Sequence, residues 1–243
     1  MGKRLQVSPA RVQIHAGGPL SPAAKAALGA FFGERRKVAF LTAANLQDED
    51  AYFERVRRAL EPAAPEGAGL SLIHLRWNSR PLETLAQAEA LFVGGGNTFA
   101  LLQRLQSSGL LDAVGEKVRS GMPYAGSSAG SNVAGPNILT TNDWNVVGLA
   151  RFDALELVPF NINPHYKEAD PAMAQFSETR DDRIAEYHAV RKNPVLGIEE
   201  GSWVQVENGR ATLEGQSRAK LFRRGAPSQW LKAGEDLPLA PWP

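Results

Sequence analysis

Short apolar runs recur along the chain, each closed by Gly, Pro or polar residues. They fall at 37–44 (KVAFLTAA), 70–77 (LSLIHLRW), 90–96 (ALFVGGG), 123–128 (PYAGSS) and 195–201 (VLGIEEG). Most are continuous in hydrophobicity rather than alternating, which is the pattern of strands buried on both faces. Between them the period lengthens to that of a helix. In 48–62, Tyr52, Val56 and Leu60 share one stripe, and Pro62 closes the run. The stretch 97–109 opens on a cap candidate, Asn97 or Thr98, and stops near Gly109. A further helical stretch, 110–121, ends at Gly121. Alternating strands and helices predict a parallel sheet covered on both faces.

Towards the C-terminus the pattern changes. Residues 202–215 read as two strands joined by Asn208-Gly209, a strong hairpin signal. Residues 219–225 (AKLFRRG) read as one more strand. This part is expected to extend the same sheet in antiparallel fashion, within one domain spanning 1–243. The segment 61–69 is expected to be a surface loop and 237–243 irregular.

Composition narrows the function. Of 243 residues, 43% are hydrophobic and 22% charged, an ordinary globular balance able to bury a sizeable core. A formal net charge of +1 gives no electrostatic case for nucleic acid or an acidic membrane as partner. With no cysteine, disulfides, thiolate catalysis and Cys-based zinc sites are excluded. No apolar run approaches the roughly 20 residues that span a bilayer. The N-terminus shows no apolar signal-peptide core. The expectation is a cytoplasmic protein, with the choice between monomer and homodimer left open.

The chemistry concentrates at 124–132, YAGSSAGSN. Gly126-Ser127-Ser128-Ala129-Gly130 fits the G-x-S-x-G pattern, with Ser128 central. A nucleophile between a strand end and a helix start sits on a sharp turn, and glycines two positions either side remove the Cβ clashes that turn creates. The Ala129 N–H would then face a developing oxyanion. A turn without chemistry has the same pattern. The glycine loop at 92–98 (FVGGGNT) also follows a strand, and loops at the carboxyl edge of a parallel sheet gather together. Gly96 is therefore the preferred second oxyanion donor. That loop matches neither a dinucleotide nor a Walker phosphate motif, so no nucleotide cofactor is expected.

A serine needs a base. His74 lies in a predicted buried strand and His188 in a charged helical stretch. His15 precedes Gly17-Gly18 in an early strand. His165, in the Pro-containing segment NINPHYKE, leads His15 modestly. The imidazole needs an orienting acid, and Asp143 and Glu200 both sit near predicted loops. The histidines are scattered and no H-E-x-x-H occurs, so no metal is expected.

Taken together, FVGGGNTFALL, YAGSSAGSNVAGPNILTTND, INPHY, SETRDDRIAEY and EEGSWV occur in the order and spacing of the peptidase E family. These are the α-aspartyl dipeptidases, serine peptidases grouped with the cyanophycinases, and the resemblance covers most of the chain. It implies a three-layer α/β/α sandwich like that of class I glutamine amidotransferases. It also implies hydrolysis of dipeptides with an N-terminal aspartate. Ser128 matches the family's nucleophile, His165 its base, and Ala129 and Gly96 its oxyanion donors. The third member corresponds to Asp143 or Glu200, with Glu200 favoured.

An acidic substrate side chain calls for a cation. Arg180 and Arg183 are candidates, since a guanidinium grips a carboxylate bidentately. Surface pairing with Asp181, Asp182 and Glu186 is the plainer reading of the same arginines. The chain departs from the family where relatives often carry Trp before the nucleophile and Gly before ETR. Here those residues are Ser127 and Ser177. Ser127 would widen the substrate pocket and admit other N-terminal residues. The rivals are a broader dipeptidase, a cyanophycinase-like exopeptidase, an esterase and a non-catalytic small-molecule binder.

Overall fold

The computed structural model of the chain describes residues 10–35, 37–63, 70–170, 172 and 176–239. Residues 1–9 therefore lie outside the described residues, as do parts of the expected loop at 61–69 and tail at 237–243.

The first half of the chain alternates strand and helix as its periodicity predicts. The order is β1 (Val12–His15), α1 (Pro22–Phe32), β2 (Lys37–Leu41), α2 (Glu49–Leu60), β3 (Ser71–Leu75), α3 (Pro81–Ala86) and β4 (Ala90–Val93). Next come α4 (Thr98–Ser107), α5 (Leu110–Arg119), β5 (Tyr124–Ser127) and the one-turn α6 (Ala129–Asn132). After a long irregular stretch follow β6 (Asn161–Pro164), α7 (Arg180–Val190), β7 (Val195–Ile198), β8 (Ser202–Glu207), β9 (Arg210–Gly215), β10 (Ala219–Arg223) and β11 (Ala226–Leu231).

The helix starts follow local chemistry. Ser21 caps α1 by accepting the Ala24 N–H, with Pro22 at the first helical position where no donor is needed. Asp48 and Asn97 cap α2 and α4 in the same way. At α7, Thr179 and Asp182 satisfy each other's backbone N–H groups in a capping box.

The main sheet has the order β3-β2-β4-β5-β1-β8-β9. Its strands from β3 to β1 are parallel, and β8 and β9 add to β1 antiparallel. Alternate residues face opposite ways. Val38, Phe40, Phe92 and Ala125 pack against Leu28, Phe32, Val56 and Leu60 of α1 and α2. Ala39, Leu41, Leu91, Val93 and Tyr124 pack against Leu101, Leu105, Val114 and Val118 of α4 and α5. Both faces are therefore covered, which is why these strands read as continuous apolar runs.

The C-terminal expectation needs one correction. The β8–β9 hairpin does extend the main sheet, but β7 and β10 do not join it. They form a second sheet of order β11-β10-β7-β6, with β6 and β7 parallel and the rest antiparallel. The cause is that both faces of this sheet also need cover. Ile162, Leu196, Ile198 and Leu221 share the core with Ala129 and Val133, while Val195 and Phe222 meet Ile184 and Tyr187 of α7. Its position carries the ends of β6 and β7, and with them His165 and Glu200, to the carboxyl edge of β5.

Candidate active site

Ser128 occupies the turn between β5 and α6 with φ 54° and ψ −108°, a backbone strained for any residue but glycine. The flanking glycines are there for space. A Cβ on Gly126 would lie 2.5 Å from the Gly130 carbonyl oxygen, and one on Gly130 would lie 2.2 Å from that of Val93. The turn can close only with glycine at both positions. Ser131 locks it from below, its hydroxyl donating to the carbonyls of His15 (2.7 Å) and Gly126 (3.0 Å).

His165 follows β6 directly, also at positive φ (54°). Its Nε2 lies 2.9 Å from Ser128 Oγ, and its Nδ1 lies 2.8 Å from Glu200 Oε1. A carboxylate only accepts, so Nδ1 carries the proton. Nε2 is then left to accept the Ser128 hydroxyl. Glu200, just past β7, has a largely exposed carboxylate. The β1–α1 loop closes over the pair. Gly17 has φ +115°, and a Cβ there would lie 2.5 Å from the His165 ring.

The glycine loop after β4 also packs against Ser128. A Cβ on Gly95 would lie 3.1 Å from Ser128 Cβ. Gly94 N–H donates to Leu41 O (3.0 Å) and Gly95 N–H to Tyr52 Oη (2.9 Å). Among the described residues, the N–H groups of Gly96 and Ala129 have no acceptor.

The remaining residues singled out in the sequence divide. Asp143 is not on His165: its Oδ2 accepts the Thr98 N–H at 2.7 Å and the Thr141 hydroxyl at 3.2 Å, at the start of α4. Arg180 donates to Asn142 Oδ1, and Asn142 in turn donates to Pro164 O at 2.8 Å, one residue before His165. Burial, with Arg183 nearby, lowers the Arg180 pKa. The surface pairing considered for these arginines is not the one formed. Arg183 pairs with Glu178, Asp181 with Lys220, and Asp182 caps α7.

The other histidines are held elsewhere. His15 is buried, bonded to Gln13 Oε1 (2.9 Å) and stacked on Trp203. Loss of hydration there pushes its pKa down to about 3. His74 stacks on Phe53 and lies 2.9 Å from Thr42 Oγ1. His188 is half-buried against the Asn193 carbonyl rather than fully solvated.

A cavity of about 720 Å³ opens at Ser128 and His165 and is lined by Ser127 as well. Tyr52, Lys25 and Arg55 also line it, and sequence reasoning did not single them out for the site. Tyr52 reads as part of the apolar stripe of α2. The usable signal was position: α1 and α2 both start at the strand edge where Ser128 emerges. Among the described residues, no group of three or more His, Asp or Glu is placed to hold a metal ion, and no helix is long and apolar enough to cross a membrane.

Residues 14–214 match Peptidase family S51. The chain is 46% identical over 192 residues to a Streptomyces coelicolor protein named "Peptidase E", covering 79% of this chain and 77% of that one. It is 44% identical over 193 residues to a Drosophila melanogaster protein named "Probable alpha-aspartyl dipeptidase", covering 79% and 78%. The crystal structure of a peptidase from an acI-B1 Actinobacterium superposes with a TM-score of 0.69 over 96% of this chain and 99% of that one. At 17% identity that likeness speaks for the fold alone.

Proposed function

The chain belongs to peptidase family S51, and from that premise we propose that it is a serine dipeptidase cleaving dipeptides with an N-terminal aspartate. The observation that carries this reading is the unbroken chain of hydrogen bonds from Ser128 through His165 to Glu200. The name of the relative at 44% identity, "Probable alpha-aspartyl dipeptidase", supplies the substrate class.

In this reading Ser128 Oγ attacks the scissile carbonyl while its proton passes to His165 Nε2. Glu200 keeps the Nδ1 proton in place and offsets the charge of the imidazolium. The Gly96 and Ala129 N–H groups donate to the tetrahedral oxyanion. Neither has an acceptor among the described residues, so no bond shown there has to break first. His165 then protonates the leaving nitrogen, and water resolves the acyl-enzyme along the same path in reverse. Arg180, half-buried and bonded only to the neutral Asn142, has a guanidinium with no carboxylate partner among the described residues. It would grip the aspartate side chain. Ser127, small and at the cavity wall, leaves room for N-terminal residues larger than aspartate, so preference for Asp is expected to be strong but not absolute.

The test is hydrolysis of Asp-Leu, Leu-Leu, Glu-Leu and β-Asp-Leu by wild type and Ser128→Ala. Asp-Leu should be the best substrate, and Ser128→Ala should lower kcat by about 10⁶-fold, as removal of a nucleophile does elsewhere. Activity that survives in Ser128→Ala would remove Ser128 from the mechanism. Equal rates on all four substrates would leave the mechanism and remove the specificity.

A further inference from the structure

Away from Ser128, the wall of the cavity carries positive charge that the proposed chemistry does not use. Lys25, in the first turn of α1, and Arg55, midway along α2, both line it. Among the described residues, no acidic side chain lines it with them. Neither cation has a carboxylate partner among the described residues. By contrast Arg57, in the same helix as Arg55, is paired with Glu54 and Glu61, and Arg104 with Glu49. Arg55 is also held in place. Its guanidinium carbon lies 5.0 Å from the centre of the Tyr52 ring. Tyr52 is in turn anchored to the glycine loop through the Gly95 N–H. A cation stacked on a fixed ring, with no acid among the described residues that line the cavity, is preorganised for an anion that arrives with the ligand.

A dipeptide beginning with aspartate brings two carboxylates, and the placement of the wall separates them. His165 must hand its proton to the leaving nitrogen, so the leaving residue lies on the His165 side of Ser128. The wall on that side is the β1–α1 loop. Gly17 packs on the His165 ring, Gly18 lines the cavity against Glu200, and the chain runs on into α1 and Lys25. The C-terminal carboxylate of the leaving residue sits within about one residue length, 3.8 Å, of the scissile bond. Arg180 is not among the residues that line this cavity.

We propose that Lys25 and Arg55 hold the C-terminal carboxylate of the leaving residue and so restrict the enzyme to dipeptides. The inference rests on the dipeptidase reading above. A longer peptide would place a neutral amide between the two cations and its next residue against the cavity wall. The two cations would then face an uncharged group instead of a carboxylate.

Steady-state kinetics on Asp-Leu, Asp-Leu amide and Asn-Leu test this, using wild type, Lys25→Gln, Arg55→Gln, the double variant and Arg55→Lys. Wild type should favour the free acid over the amide by about tenfold or more, the scale of a charge-assisted hydrogen bond. In the double variant that ratio should fall towards one, mainly through a higher KM for the acid. The preference for Asp-Leu over Asn-Leu should persist, and Arg55→Lys should keep part of the acid-to-amide ratio. The proposal is overturned if wild type takes amide and acid equally, or if the variants slow all three substrates by one factor. It is also overturned if only the Asp-over-Asn preference collapses, which would assign the pair to the first residue instead. If wild type cleaves none of the three, the dipeptidase reading fails first and this one with it.

Discussion

Glu200→Gln keeps the shape of the side chain that receives the His165 Nδ1–H. An amide accepts less strongly than a carboxylate, and the tautomer with its proton on Nε2 then competes. That tautomer cannot accept from Ser128. We expect kcat to fall about 10²-fold, short of the roughly 10⁴-fold loss known for a buried acid. The Glu200 side chain is 59% exposed, so water can partly replace it. Asp143→Ala should do the reverse. It removes the acceptor of the Thr98 N–H and should cost about 0.5–2 kcal/mol, as lost helix caps do, with kcat nearly unchanged. Measuring kcat and Tm for both variants decides the matter, and a collapse of kcat in Asp143→Ala would reassign the acid. Local sequence alone could not separate these two residues, because both sit near predicted loops and spacing holds no distances. Ser128 was legible because glycine is required at both 126 and 130. Lys25 and Arg55 were not, since one Lys or Arg on a charged helix looks like any solvated residue.

At the scale of elements, the glycine loop after β4 joins three parts: the Gly96 N–H, the cap of α4 and the segment that follows β2. Gly96 has φ +140°, and a Cβ there would lie 2.2 Å from the Ala44 carbonyl oxygen. That same carbonyl accepts the Asn97 N–H at 2.8 Å. Gly96→Ala must therefore move the loop away from β2. The expected result is a lower Tm and a loss in kcat of about 10²–10³-fold, the usual cost of one missing oxyanion donor. Gly109→Ala is the control. It also has positive φ (+75°), but nothing lies within 4 Å of the added Cβ. It should cost about 1–2 kcal/mol of backbone strain and leave kcat alone. Equal kcat losses in the two variants would mean that strain, not the position of the loop, governs the rate. Elements were easier to find in the sequence than their partners. Both β4 and β7 are wholly buried runs of four residues, yet they belong to different sheets. Local periodicity reports that a strand is buried, not what it lies beside. For β11, four of six residues are exposed, so the apolar signal was missing altogether.

For the whole molecule, acid is the revealing stress, and His15 shows why. It lies in β1, between β5 and β8, where Trp203 and Gln13 meet the ring and, among the described residues, no carboxylate is bonded to it. In the folded protein its pKa is pushed down to about 3, while unfolded it returns to about 6.5. Between those values the unfolded chain binds one more proton than the native state. Stability from this group is therefore fully present above pH 6.5 and declines as pH falls towards 3. The slope approaches about 1.4 kcal/mol per pH unit. His15→Asn should lower stability at pH 7 by loss of stacking and packing, yet its deficit relative to wild type should shrink steadily at pH 5.5 and 4.5. Urea unfolding of both proteins at the three pH values measures this. A deficit that stays constant with pH would mean that His15 is protonated in the native sheet or reached by water. Because His15 O accepts both the Ser128 N–H and the Ser131 hydroxyl, charging this one buried ring should loosen the nucleophile turn together with the sheet. Activity that is not regained on return to neutral pH should then be lost along with the unfolding transition.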